Sequence, residues 1–254
     1  MAVEKKSADY LAQVIHCARQ EKKYPFNYLR QNIAIEHRML LKAVLRRKYW
    51  YIDIPRTSST SIKTVLGNKF GYPYGKQFIP GEPRDKEREF LSSMLLPAHT
   101  PAFLAIDILG QHVWGKVKTF SVVRNPYSWC ISLWHFSLRY GLFKGFRNNT
   151  FINFITSFQE KLAPPMDERS LHLPPSYLFS QGDYLTSLDG QLIVQDILKF
   201  EDRVAINDYL THIDPTMKPL QITAKTDSEH YDLSQQEKTL VETVFKKDFE
   251  LLGY

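Results

Sequence analysis

A chain of 254 residues, 43% hydrophobic and 24% charged, can bury one sizeable core, and its composition excludes a disordered, collagen-like or membrane-embedded protein. Two cysteines, Cys17 and Cys130, exclude a disulfide framework and place the chain by default in a reducing, cytoplasmic compartment. The net charge of +6 favours an anionic ligand: nucleic acid, a polyanionic sugar or a nucleotide phosphate.

The first ten residues, MAVEKKSADY, lack the apolar core of a secretory signal. Ala8–Lys23 and Asn27–Lys48 have helical spacing and are parted by Pro25. In the second, Ile33, Leu40, Leu41, Val44 and Leu45 share one face, and Arg30, Arg38, Lys42, Arg46 and Arg47 fill a basic, solvated remainder. Residues 1–48 are therefore expected to be a helical extension, a candidate dimer contact or sheet cover, on a core domain of residues 49–254. Tyr49–Ile54 reads as a buried strand and Ile62–Phe70 as a helix closed by Gly71. Tyr72–Arg88 reads as a loop. The longest uncharged run, Phe90–Ile106, is broken by Pro97, His99 and Pro101 and is too short to span a membrane, so no membrane partner is expected. Phe103–Leu109 is a helix ended by Gly110, Lys118–Val123 a strand, and Tyr127–Tyr140 and Phe151–Leu162 helices. Ala163–Pro175 is a proline-rich loop. Gln191–Leu198 is expected to be the third strand. Val204–Ile213 and Ser234–Leu252 are expected to be helices, the latter opened by a Ser234/Glu237 capping box. Strands alternating with helices predict an α/β fold, a central parallel sheet flanked by helices.

Two strand-to-helix turns carry the chemistry. In IPRTSSTSI (54–62), five hydroxyl residues follow an arginine at a helix N-terminus, where unpaired N–H groups and the helix dipole favour an anion. It is not a Walker A loop, since it has no glycine and no Lys-[Ser/Thr] pair. In FSVVRNPYSWCISLW (120–134), Arg124 stands at a strand's C-terminal end, where open α/β sheets bind ligands. Ser132 lies two helical turns further on the same side, so that the two could grip one phosphate.

These segments resemble the 5′-phosphosulfate loop and the 3′-phosphate motif of sulfotransferases that use 3′-phosphoadenosine-5′-phosphosulfate (PAPS). SQGDYLTSLDGQLIVQDILKFED and VFKKDFELLGY resemble later blocks of the branch that includes carbohydrate and heparan 2-O-sulfotransferase-like proteins and small bacterial members. The resemblance runs from about Tyr49 to Tyr254 and implies the P-loop-NTPase-like sulfotransferase fold, PAPS as donor co-substrate and no metal. It assigns Arg56, Thr57, Ser58, Ser59, Thr60 and Ser61 to the 5′-phosphosulfate and Arg124 and Ser132 to the 3′-phosphate. It also puts Lys225 in a polar segment near the nucleotide. Arg56 departs from the lysine that most relatives carry.

A sulfuryl acceptor must lose a proton, and histidine suits that work near neutral pH. Among eight histidines, His99, in a proline-bounded turn between the two motifs, is the expected base. Glu201 reads as structural. Tyr74, Trp134, His135 and Tyr140 are expected to line the acceptor pocket, for a small-molecule or saccharide acceptor. A P-loop kinase lacks its Gly-Lys-[Ser/Thr] signature here. A nucleic-acid module lacks a matching motif and a concentrated basic tail.

Overall fold

The computed structural model describes residues 37–38, 40–42, 44–70, 99–140, 149–161, 179–220 and 231–254. Its centre is a parallel sheet in the order β1 (Tyr49–Ile52), β2 (Lys118–Val123), β3 (Asp196–Lys199). Ile52 lies opposite Ser121, and Val123 opposite Lys199, so the three C-terminal ends share one edge of the sheet.

Both faces of the sheet are covered, as a parallel sheet requires. Alternation decides which side chain goes where. Trp50, Ile52 and Val123 enter one core with Leu40 and Val44 of α1 (helical at residues 37–38, 40–42 and 44–47), α3 (Ala102–Leu109) and α7 (Gln181–Leu185). Tyr51, Phe120 and Val122 enter the opposite core with Ile62 and Leu66 of α2 (Ser59–Phe70) and with Ile206 and Leu210 of α8 (Arg203–Ile213). A third, aromatic core joins α5 (Pro126–Tyr140), α6 (Phe151–Lys161) and α9 (Gln235–Val244) through Trp129, Phe154, Phe158 and Phe245. Cys130 is buried in it, and burial raises its thiol pKa well above the usual range.

Several sequence expectations need adjustment. The described end of the N-terminal extension covers the sheet: Leu40 and Val44 are packed in the core, and Arg47 is buried rather than solvated. Helix α2 begins at Ser59, so three of the five hydroxyl residues lie in its first turn. The third strand is Asp196–Lys199, not Gln191–Leu198. The earlier half of that run folds back instead. Ser187 N–H donates to the Gln191 carbonyl and Ile193 N–H to that of Leu185, around Gly190 at φ 83°. Only this glycine-permitted turn lets the run pair with its own preceding segment.

The last helix is broken at Phe245 (φ −110°, ψ 29°) into α9 and α10 (Lys246–Leu252). Phe245 is anchored edge-on to Trp129 at 5.5 Å and lies 5.6 Å from Phe158. The expected capping box at Ser234 and Glu237 is present. Two short helices, α4 (Gln111–Trp114) and α7, had not been anticipated. No helix among the described residues is long and apolar enough to cross a membrane.

Candidate active site

The loops leaving the three strands meet at the shared edge. After β1 the chain runs through Asp53 to the hydroxyl turn. Arg56 (φ 65°) and Ser58 (φ 68°) both adopt the left-handed backbone that side-chain-bearing residues avoid, while the intervening Thr57 does not. Such alternation of backbone hand is the kind that can turn successive N–H groups to one side of a loop without glycine. The turn is fastened by Thr57 Oγ1–H to the Ile54 carbonyl at 2.8 Å and by Trp129 Nε1–H of α5 to the Pro55 carbonyl at 2.8 Å.

After β2, the Arg-Asn-Pro turn starts α5. Asn125 Oδ1 accepts the Tyr127 N–H at 3.0 Å and Pro126 holds the first helical position, where its missing N–H costs nothing. Residues four apart then share a row along α5: Arg124, Ser128, Ser132, Phe136. Arg124 Nε donates to Ser128 Oγ at 2.9 Å. Arg56 Nε donates to the buried Ser132 Oγ at 3.0 Å, and its guanidinium lies 4.6 Å from the centroid of the Phe136 ring. The two motifs therefore touch directly, through Arg56 and Ser132. Arg124 and Ser132 lie on that same row.

After β3 comes a cation that sequence reasoning missed. Arg203, the first residue of α8, donates to Ser58 Oγ at 2.9 Å and lies over Phe200, 3.8 Å from its centroid. Arg124 lies 4.5 Å from the same centroid. Burial lowers the Arg203 pKa, and Glu201 opposes that shift. A cation at a helix N-terminus is electrostatically disfavoured, so its place is held by the ring and the hydroxyl. The Glu201 oxygens accept from Asn125 N–H and Tyr254 O–H, both at 2.9 Å.

Arg124 is held from behind. The Gln181 side chain accepts the Arg124 N–H at 2.8 Å and donates to the Arg124 carbonyl at 2.7 Å, closing both backbone groups where β2 ends. Gln181 is positioned in turn by Asp248 of α10, whose carboxylate accepts the Gln181 N–H at 3.0 Å and the Gly182 N–H at 2.7 Å. Burial pushes the Asp248 carboxyl up to about 6, although those two N–H groups oppose it.

His99 also reaches this edge. Its Nδ1 lies 3.2 Å from the Asp53 carbonyl oxygen and 3.2 Å from Asp53 Oδ1, while Lys63 Nζ of α2 donates to Asp53 Oδ2 at 2.5 Å. Burial would raise the Asp53 carboxyl, but His99 and Lys63 overcome it and hold it well below the usual carboxylate range. His99, with φ 59°, is a third left-handed residue at this edge. Of the assigned loop residues, Thr57 and Ser59 are buried, Ser58 and Ser61 half-buried and Thr60 exposed.

The acceptor residues fare differently. Trp134 is packed in the aromatic core, edge-on to Phe151 at 5.6 Å and to Tyr231 at 5.1 Å, and His135 stacks on it at 5.1 Å. Trp134 is buried, while His135 is half-buried. Tyr140 ends α5, with only its backbone among the described atoms; Tyr74 and Lys225 lie outside the described residues. Asp53, Lys63, Gln181, Arg203 and Asp248 had gone unremarked in the sequence. Only Gln181 had a local signal, the Ser180/Asp183 capping box that begins α7. No family model, curated protein or solved structure matches the chain.

Proposed function

We propose that this protein is a sulfotransferase of the P-loop-NTPase-like sulfotransferase fold, moving a sulfuryl group from PAPS to a hydroxyl or amine of a small metabolite or saccharide. The observation that carries this reading is the Arg56–Ser132 contact, which joins the two phosphate-type turns at one sheet edge. Arg124 and Arg203, both over Phe200, add two more cations there. Three guanidinium groups and a row of hydroxyls suit a ligand with phosphates at two ends better than a single phosphate.

The donor supplies the sulfuryl group and leaves as adenosine 3′,5′-bisphosphate (PAP). Arg56 faces the bridging oxygen and stabilises the charge it gains as its bond to sulfur breaks. A guanidinium keeps its own proton, so this is charge stabilisation and hydrogen bonding rather than acid catalysis. His99, through Nε2, takes the proton that the acceptor releases as it bonds to sulfur. Arg124, Ser128 and Ser132 form the 3′-phosphate end, and the Thr57–Ser61 turn the 5′ end. The Arg203–Ser58 bond steadies that turn.

Calorimetric titration of the full chain with PAP, without metal and with ATP as control, tests the reading. Micromolar or tighter PAP binding with much weaker ATP binding is expected. Absence of PAP binding, or equal affinity for ATP, overturns it.

A further inference from the structure

We infer that Asp53 is the positioning carboxylate of His99, fixing the imidazole as its Nδ1–H tautomer and making Nε2 the proton-accepting nitrogen, with Lys63 holding Asp53 in place. The role of Nε2 in turnover rests on the sulfotransferase reading; the tautomer does not.

Every atom of Asp53 that His99 Nδ1 approaches is an acceptor. The Asp53 carbonyl oxygen and Oδ1 both lie at 3.2 Å. An unprotonated Nδ1 would point its lone pair at two oxygens, one of them charged. A protonated Nδ1 donates to the carbonyl and has the carboxylate alongside. Oδ1 is buried and takes no well-directed hydrogen bond. It is therefore available to share the Nδ1 hydrogen as the ring becomes cationic, the moment at which a base needs support.

Lys63 fixes the other oxygen. Its Nζ lies 2.5 Å from Oδ2, which sets the carboxylate plane and offsets the cost of keeping the charge in a site where the Asp53 side chain is 12% and that of His99 13% exposed. A chain that only needed to tie this loop to the sheet could use a neutral hydrogen bond. Here a charged pair is built beneath a histidine in left-handed backbone, a conformation that persists where surrounding contacts impose it. Asp53 directly follows the Ile52 end of β1 and lies three residues before Arg56, so the same turn would position both the base and the leaving-group cation.

Long-range proton–nitrogen NMR on 15N-histidine-labelled full chain tests this, with the His99 signals identified by their loss in His99→Gln. The wild type is expected to show His99 protonated at Nδ1 and unprotonated at Nε2 when neutral. The Nε2–H tautomer in the wild type would overturn the inference whatever any variant does. Asp53→Asn, whose amide can donate as well as accept, should give a mixture of tautomers. It should also lower kcat by about 10²-fold or more while PAP affinity stays within about two-fold. An unchanged tautomer together with unchanged kcat in that variant would also overturn it. Failure of PAP to bind would remove the sulfotransferase reading but leave the tautomer result standing.

Discussion

Arg56 makes two contacts that a lysine could not make together. Its Nε donates to Ser132 while the flat guanidinium faces the Phe136 ring at 4.6 Å. An ammonium is a point charge on a flexible stem and would keep one contact at most. Arg56→Lys is therefore expected to retain some turnover, reduced about ten-fold. Arg56→Ala should lose about 3–4 kcal/mol of transition-state stabilisation, that is, about 10²–10³ in kcat. Steady-state rates with PAPS and any accepted hydroxyl compound check both; a wild-type rate in Arg56→Ala would remove Arg56 from the chemistry. On the sulfotransferase reading Arg124 acts in binding instead. Losing its charge-assisted bonds should weaken PAP by about 10–100-fold in Arg124→Ala. Calorimetry showing unchanged PAP affinity would move the 3′-phosphate elsewhere.

The element that matters most for Arg124 is one it touches through a single glutamine. Helix α7 has only five residues, yet its N-terminus is closed by the Ser180–Asp183 capping box and by the Asp248 carboxylate from α10. The close approach is possible because residue 182 is glycine. A Cβ there would stand 3.0 Å from Asp248 Oδ1 and 3.2 Å from Leu251 Cδ2. The carboxylate cannot retreat without giving up its N–H partners. Gly182→Ala is expected to destabilise by about 1–3 kcal/mol, read as a lowered urea midpoint at unchanged m-value. A wild-type midpoint would show that α10 can shift away freely. At the far end of α9, the break at Phe245 fills the space between Trp129 and Phe158 and is followed by the turn of α10 that bears Asp248. A continuous helix from Ser234 to Leu252, the pattern suggested by the amphipathic spacing, would not contain this break.

For the whole molecule, the carboxylates of Asp53 and Asp248 act on stability in opposite directions. Asp53 has its folded pKa depressed, so its contribution is present above the unfolded value of 3.8 and is lost as the pH falls below it. Asp248 has its folded pKa raised to about 6, so its contribution is present below 3.8 and is lost as the pH rises to about 6. Its loss amounts to on the order of 3 kcal/mol. Denaturant unfolding between pH 4 and 7 should thus show stability falling with rising pH, and that fall should be lost in Asp248→Asn. A flat wild-type profile would mean that Asp248 titrates as an ordinary carboxylate.

What could be read from the chain alone was whatever depends on near neighbours. Lys118–Val123 is a strand because its apolar and β-branched run suits a sheet covered on both faces; α5 begins where Asn125 and Pro126 cap it; α9 begins at its Ser234 box. The hydroxyl turn and the Arg-Asn-Pro turn were legible for the same reason, since each is a short strand–turn–helix unit. Local pattern failed where a segment had two options. Gln191–Val194 could extend β3 or fold back on Leu185–Ser187, and the Gly190 turn decided for the latter. Trp134 could line a pocket or fill a core, and only the fold brings Phe151 and Tyr231 edge-on against it.

The sequence by itself determined an α/β chain with two arginine-bearing phosphate-type turns and a histidine between them, because turn chemistry and side-chain alternation are set by residues a few positions apart. Only the tertiary structure decided that Arg56 meets Ser132, that Arg203 reaches Ser58, that Gln181 clamps Arg124, and that Asp53 lies beneath His99. The partners in these pairs are 46 to 145 residues apart in the chain. Their meeting depends on which strands pair and in what register, and in a parallel sheet that choice is made by packing both faces, not by any single segment.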